Sequence, residues 1–503
     1  MPRFLISFML VVVVSSPLSA QTIHSPVNTA LGGGGTAYLT GLDALFVNPA
    51  NLYIQERSYR VQFSVGQSGT FLAAPLGSTD RSDQVQNFRN HFLTFNPDEL
   101  PTTESGFYSR LLARSYADEL QVAEFTARSD FHWLGVHWAR QNRSYAIALR
   151  TRIANRYTVG RAFYDANPVI VNGDRIMDYS VTQQFQSFHE LSFGYAESFT
   201  FINGLWPQLS ELIVGIAPKI IISGAYQNLV YSDIYTQRGA NLYDRTHSFD
   251  YYSSGMFTNA ARQYRSGLNP NQIIRQTLPA SDLFNPTGYG AGVDIGITYL
   301  ITLGDDLSTV TESDATTQKS LRVSLAVTDV GFVTYFRNPV NFATDEVSQS
   351  GQSAPGRSDF IFRGAPGEHF FFLEQQSHPI TDAGLISSDD FLTLLPTALH
   401  AGALFQINRI KLMGDLSLGL TNNAFNTTKL ITYLGIELRP LPNIPIRAGT
   451  RLATEIPGYY SFGSGIETRY FDFNAAIQLR SRAIGPTSEL SGAAIAAFRF
   501  YIP

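Results

Sequence analysis

The stretch YGAGVDIGITY (residues 289–299) decides the fold. Its odd-numbered positions read Tyr, Ala, Val, Ile, Ile, Tyr. Its even-numbered positions read Gly290, Gly292, Asp294, Gly296 and Thr298. Successive side chains of a β-strand point to opposite faces, so this is a strand with one apolar, aromatic-ended face and one small or polar face. An ordinary sandwich strand would carry Lys and Glu toward water. Glycine, threonine and a single aspartate suit a strand with lipid on one side and a lumen on the other.

The same period recurs in residues 59–65, 144–153, 191–195, 321–327, 412–420, 434–439, 446–452, 460–466 and 471–480. Tilted membrane strands need only about 9–11 residues, and tyrosine and phenylalanine near the strand ends supply the interfacial girdles. Composition agrees: 13% of residues are aromatic and only 15% charged, against about a quarter charged in soluble domains. No segment beyond residue 20 offers the roughly 18 apolar residues of a membrane helix. The best candidate, 212–222, is broken by Pro218 and Lys219. A membrane location therefore requires a barrel, whose strands satisfy every backbone hydrogen bond between neighbours.

Residues 1–20 read as a secretory signal, with Arg3 ahead of an apolar core and a small-residue exit at Ala20. The chain has no cysteine, which rules out disulfides, thiolate metal sites and cysteine nucleophiles. A net charge of −5 argues against a nucleic-acid partner. The expected organisation is a signal (1–20), a plug segment (21–58) and a barrel (59–503), with long loops near 71–129, 226–287 and 331–396. A helical pattern over 107–120 falls in the first of these loops.

The glycine run Gly32, Gly33, Gly34 and Gly35 is not a nucleotide loop. A dinucleotide fingerprint needs a strand before the glycines and a helix beginning at them, and a Walker loop needs a following Lys-Ser/Thr. Neither is present. His132 and His137 are five apart, which on a regular strand points them to opposite faces, so they do not form a metal pair. No Gly-x-Ser-x-Gly elbow exists. No cofactor and no enzymatic activity are expected.

Charges opposite the apolar faces are Arg150, Arg152, Asp294, Arg322, Glu437, Arg447, Arg451, Glu467 and Asp472. On the lipid face each would cost roughly 2–4 kcal/mol at the midplane, so they belong in the lumen. There they either pair to hold a plug or line a solute path, or they are the charges that any water-filled lumen carries. Phe498 and Phe500 alternate as in a last strand and are the candidate insertion signal.

The glycine run, Asp43 and the triplet Asn48, Pro49, Ala50 ahead of a first strand together resemble the N-terminal region of FadL-type outer-membrane barrels. The PorV-type barrels of type IX secretion share this pattern. Residues 289–296, 327–331 and the closing strands resemble an uncharacterised outer-membrane family of the same kind. The resemblance implies an N-terminal hatch and a hydrophobic ligand that leaves sideways through the wall. The expectation is an all-β chain: a single closed antiparallel transmembrane barrel of about 14 strands (12–16), with an N-terminal lumen plug and long external loops. Its expected function is passive, FadL-like transport of small hydrophobic solutes across a Gram-negative outer membrane. The alternative is a non-transporting barrel that serves as a secretion or assembly partner. Expected partners are outer-membrane lipid, the barrel-assembly machinery during insertion, and small hydrophobic solutes.

Overall fold

The structure, a computed structural model, describes residues 24–55, 59–74, 121–140, 142–160, 162, 168–199, 210–259, 285–303, 319–343, 345–353, 389–453, 456–480 and 490–502. The signal, the 107–120 pattern and most of the first long loop lie outside them.

Fourteen strands form the wall. In chain order they begin with β1 (Val61–Ala74), β2 (Gln121–Arg140) and β3 (Arg143–Gly160). Between β3 and the next wall strand stands the short hairpin β4 (Val169–Val171) and β5 (Asp174–Asp178). The wall continues with β6 (Val181–Phe199) and β7 (Ser210–Gln237). After the off-wall strand β8 (Tyr243–Ser254) come β9 (Gly288–Leu303) and β10 (Lys319–Tyr335). The short strands β11 (Val340–Ala343), β12 (Val347–Gln352) and β13 (Phe391–Leu394) precede β14 (Ala398–Ile407), β15 (Ile410–Gly419) and β16 (Leu430–Leu441). The wall ends with β17 (Ile444–Ala453), β18 (Ile456–Glu467), β19 (Phe471–Arg480) and β20 (Leu490–Ile502).

Each wall strand pairs antiparallel with the next, and β20 pairs back onto β1, for example Phe63 opposite Phe500 and Thr70 opposite Ala494. The barrel is closed, which removes every sheet edge from its wall. A bulge between Val65 and Ser68 interrupts the closing seam, where Gly66 takes a left-handed φ of 66° that glycine tolerates at no steric cost.

The wall alternates as the sequence predicts. In β9, Asp294, Gly296 and Thr298 are buried while Tyr289, Ile295 and Ile297 are exposed outward. Leu412, Leu416, Leu434, Ile436, Phe462, Ile477, Phe498 and Phe500 likewise face out. Among the described residues no helix is long and apolar enough to cross a membrane.

At one end the connections are tight, as between β2 and β3, β14 and β15, and β16 and β17. At the other end the structure departs from the expected loops. The 226–287 span is not a plain loop: β7 runs on to Gln237 and pairs with β8, from Tyr226 opposite Ser254 to Gln237 opposite Tyr243. Within 331–396, β11 and β12 add to β8, and β13 extends the pairing of β10. Their Tyr/Asn/Ser-rich composition hid them. These strands bury tyrosines such as Tyr231 and Tyr251, which both pack on Phe249, so they lack the apolar outward face that marks a membrane strand. The 212–222 stretch is the wall half of β7, with Lys219 turned inward.

Candidate functional site: an occupied lumen and a thin wall

Residues 24–55 lie against the inward faces of the wall, and nearly every one of them is buried. Ser25 caps a single helical turn, α1 (Pro26–Ala30), by accepting from the Asn28 amide at 3.1 Å, and Pro26 occupies the first helical position, where its missing N–H is not needed. The Asn28 side chain then donates to the carbonyls of Gly33 (2.6 Å) and Gly34 (2.7 Å), folding the glycine run back on the turn.

The glycines serve close approach rather than phosphate. Gly32 has φ +86°, and a Cβ there would stand 2.6 Å from the Thr450 carbonyl oxygen of β17. Gly34 faces Tyr433 and Asp415 in the same way. Asp415 on β15 accepts from the Gly35 amide at 2.5 Å and from the Thr36 amide at 3.3 Å. Gly33 (φ +106°) completes the left-handed path.

The wall answers with its own glycines. A Cβ at Gly215 would stand within 3.0 Å of the Pro49–Ala50 backbone, and one at Gly296 within 3.0 Å of the Asn48 amide. Gly215 and Gly296 are direct partners across β7 and β9, so the Asn48-Pro49-Ala50 triplet rests on a two-glycine saddle. Asn48 caps the 3-10 turn Pro49–Leu52 and donates to Thr36 O (2.9 Å) and Thr298 Oγ1 (3.0 Å). Gly449 and Gly435 make the same room for Leu31, and Gly194 for Leu45 and Leu52.

Three sets of buried charges lie on the inward faces of the wall. Asp43 takes a 2.7 Å bond from Arg499; burial, the largest influence, raises its carboxyl pKa, while Arg499 pulls it down. Tyr38 bonds Glu437, which Arg447 meets at 2.6 Å; Arg447 also reaches Glu467 at 2.6 Å. On the far side, Glu190 bridges Arg150 (2.6 Å) and Arg152. Arg152 reaches Asp329 at 2.8 Å, and Lys219 joins Asp329 (2.6 Å) to Asp294 (2.7 Å). Arg322 and Arg451 are fully buried, and Asp472 accepts from the Tyr501 hydroxyl at 2.6 Å. Six of the nine inward charges thus fall into ion networks on different walls, Arg150, Arg152 and Asp294 in one and Glu437, Arg447 and Glu467 in another.

Phe498 and Phe500 flank Arg499 on β20 and point outward while Arg499 points in. The histidine expectation fails. A bulge between His132 and Leu134 shifts the register of β2 against β3, so both histidines face inward instead of opposite ways. His132 packs 4.7 Å from the Phe46 ring. His137 lies 2.9 Å from the Leu52 carbonyl and 3.2 Å from the Tyr59 hydroxyl. The sequence contained no signal for the bulge, and with it two segment-holding residues were missed.

The wall is locally irregular on one side. The β9–β10 register shifts between Val327 and Val330, with Asp329 at φ 56°. The ladder of β10 with β14 ends at Thr328 opposite Ala398 and resumes with β13 at Phe332 opposite Leu394, leaving Pro396 between. Proline cannot donate to the ladder. Inside this patch lies a cavity of about 50 Å³ lined by His24, Arg128, Asp130, Arg152, Asp329 and Phe425, among others. Outside lies a groove of about 430 Å³ lined by Ile295, Ile297, Leu325, Leu399, Leu416 and Leu430. His400 and Ser417, partners across β14 and β15, line both.

Several solved channels are similar to this chain, at low identity. The P. putida toluene transporter TodX is 12% identical, with 95% of this chain and 98% of that chain covered and a TM-score of 0.40. The Ralstonia pickettii toluene transporter TbuX is 12% identical, with the same coverage and a TM-score of 0.38. A Pseudomonas aeruginosa FadL homologue is 11% identical, with 97% and 99% covered and a TM-score of 0.39. No curated protein matches. A family model described as a family of unknown function, DUF5723, matches residues 89–442. That span takes in most of the barrel wall, and the chain belongs to this family.

Proposed function

We propose that the protein is an outer-membrane channel that passes small hydrophobic solutes passively, with residues 24–55 as a displaceable plug and the β10–β14–β15 patch as the lateral exit. One observation carries this reading: His400 and Ser417 line both the inner cavity and the apolar outer groove, so the wall there is one side chain thick. A hydrophobic solute that reached the lumen would leave at the patch into an aliphatic groove instead of crossing a water layer. Transfer of apolar surface out of water drives that step at about 25 cal/mol per Å². The solved channels of like fold include proteins described as toluene transporters, which accords with the solute class.

The test is uptake of radiolabelled toluene by Gram-negative cells carrying the protein in the outer membrane, against cells with an empty vector. The reading expects faster uptake with the protein and a return to background with Ser417→Trp, which fills the shared wall. Uptake equal to the empty vector, with the protein folded in the membrane, would refute it.

A further inference from the structure

We propose that His24 is a proton-operated catch on the leading end of the N-terminal segment: neutral, it holds that end in the lumen, and protonated, it lets the end go. The proposal rests on the plug reading above and adds what regulates it.

The geometry fixes the state of the ring. Arg150 Nη1 lies 3.0 Å from His24 Nδ1. A guanidinium has donors only, so Nδ1 must accept, and the seated imidazole is the neutral tautomer with its proton on Nε2. A proton on Nδ1 would set N–H against N–H and a cation against a cation. Every element packed on the ring contributes to the balance. From β1, Gln67 donates to the His24 carbonyl. From β2 come His132 and Asp130, the latter 3.8 Å from Nδ1 and 3.7 Å from Arg150. From β3 come Arg150 and Arg152, both engaged by Glu190 of β6, with Asp329 of β10 beyond. His400 of β14 and Arg128 line the same cavity.

The cations Arg128, Arg150, Arg152 and Lys219 are matched by Asp130, Glu190, Asp294 and Asp329. Each of these carboxylates except Asp130 is already shared between or bonded to two cations or committed to Lys219. An added proton on His24 therefore makes a buried surplus of positive charge. Burial is also the main reason the ring's pKa lies below the ordinary histidine value, with Arg150 and Arg152 adding to the fall and Asp130 opposing it. The cavity of about 50 Å³ beside it can hold water to deliver the proton.

The sign follows from linkage. The seated end binds fewer protons than the released end, so the seat is at full strength above the ordinary histidine pKa of about 6.5 and weakens as pH falls below it. Each unit of depression is worth a factor of about ten in the release equilibrium.

The test uses the full chain, which has no cysteine. Val27→Cys places a thiol in α1, where Val27 is buried. Its labelling rate by a small thiol reagent is followed in the refolded barrel from about pH 7.5 to about pH 5, the range over which histidine titrates. The same reporter in His24→Gln cancels the intrinsic pH dependence of the thiol. The ratio of the two rates is expected to rise roughly tenfold toward acid pH. Asp130→Asn, which removes the one compensating carboxylate, is expected to leave the onset of that rise in place and to carry the rise further toward acid pH before it levels off. A flat ratio, with heat-modifiable migration showing intact barrels throughout, would overturn the proposal. Solute flux in the same preparation separates the two claims: a rising ratio without flux keeps the catch and removes transport, and flux with a flat ratio removes the catch alone.

Discussion

Replacing the two saddle glycines together, Gly215→Ala with Gly296→Ala, tests the seat of the N-terminal segment without touching the segment. Each added methyl would lie within 3.0 Å of the Asn48-Pro49-Ala50 stretch, at Gly215 against backbone that cannot rotate aside. Overpacking of this kind costs about 1–3 kcal/mol per site. The pair therefore weakens the seat by about 2–6 kcal/mol, a factor of roughly 30 to 10⁴ in its occupancy. The wall itself is spared, because alanine is at least as good a strand residue as glycine and the Gly215–Gly296 pairing needs no side chain. The assay is labelling of an Ala44→Cys reporter, a position fully buried in the 3-10 turn Gly41–Phe46. Labelling should accelerate at least about tenfold while heat-modifiable migration is unchanged. Gly414→Ala is the control, since a Cβ there meets nothing nearer than Leu434 Cδ2 at 3.8 Å. A labelling rate equal to that of the parent would refute the reasoning.

Arg499→Ala strands the buried Asp43 carboxylate, an effect of about 3–5 kcal/mol in comparable pairs. Denaturant titration of segment protection should show a loss of that order. Asp43→Asn should cost less, because burial already raises that carboxyl's pKa and so favours an uncharged group. Phe498→Ala with Phe500→Ala removes two outward aromatics at the closing seam; pulse-chase of the membrane fraction should show slower insertion of a barrel that is otherwise intact, and an unchanged rate would dismiss them as an insertion signal.

Architecture was legible in the sequence wherever a strand has lipid on one side. The alternation in 289–299 or 446–452 needs only the contrast between an aliphatic face and a small or charged one, and those segments lie within β9 and β17. Strands beyond the membrane zone have no such contrast. Tyr231, Asp233 and Arg245 form a polar knot in which Arg245 meets Asp233 at 2.7 Å, and a knot of that kind reads as loop. The bulge at Trp133 was equally silent, because one extra residue changes facing without changing composition. In the candidate site, the four glycines carried a resemblance that implies an N-terminal hatch, but what they approach was beyond reach. The partners Thr450, Tyr433 and Asp415 lie some 380 residues or more further along the chain. The wall glycines were visible only as a small face, and their role as a saddle depends on register between strands that no local pattern encodes.

The account turns on residues 24–55 sitting inside a closed wall, and one cross-link tests that most directly. The Leu31 Cβ lies 3.1 Å from the position a Cβ would take at Gly435 on β16, within a few tenths of an ångström of the roughly 3.5–4.5 Å that a disulfide spans. With Leu31→Cys and Gly435→Cys in a chain that has no other cysteine, mild oxidation of intact membranes is predicted to join the two peptides nearly completely, as read by mass spectrometry. Two free thiols that both react with an added reagent, in a barrel that still shows heat-modifiable migration, would contradict the account.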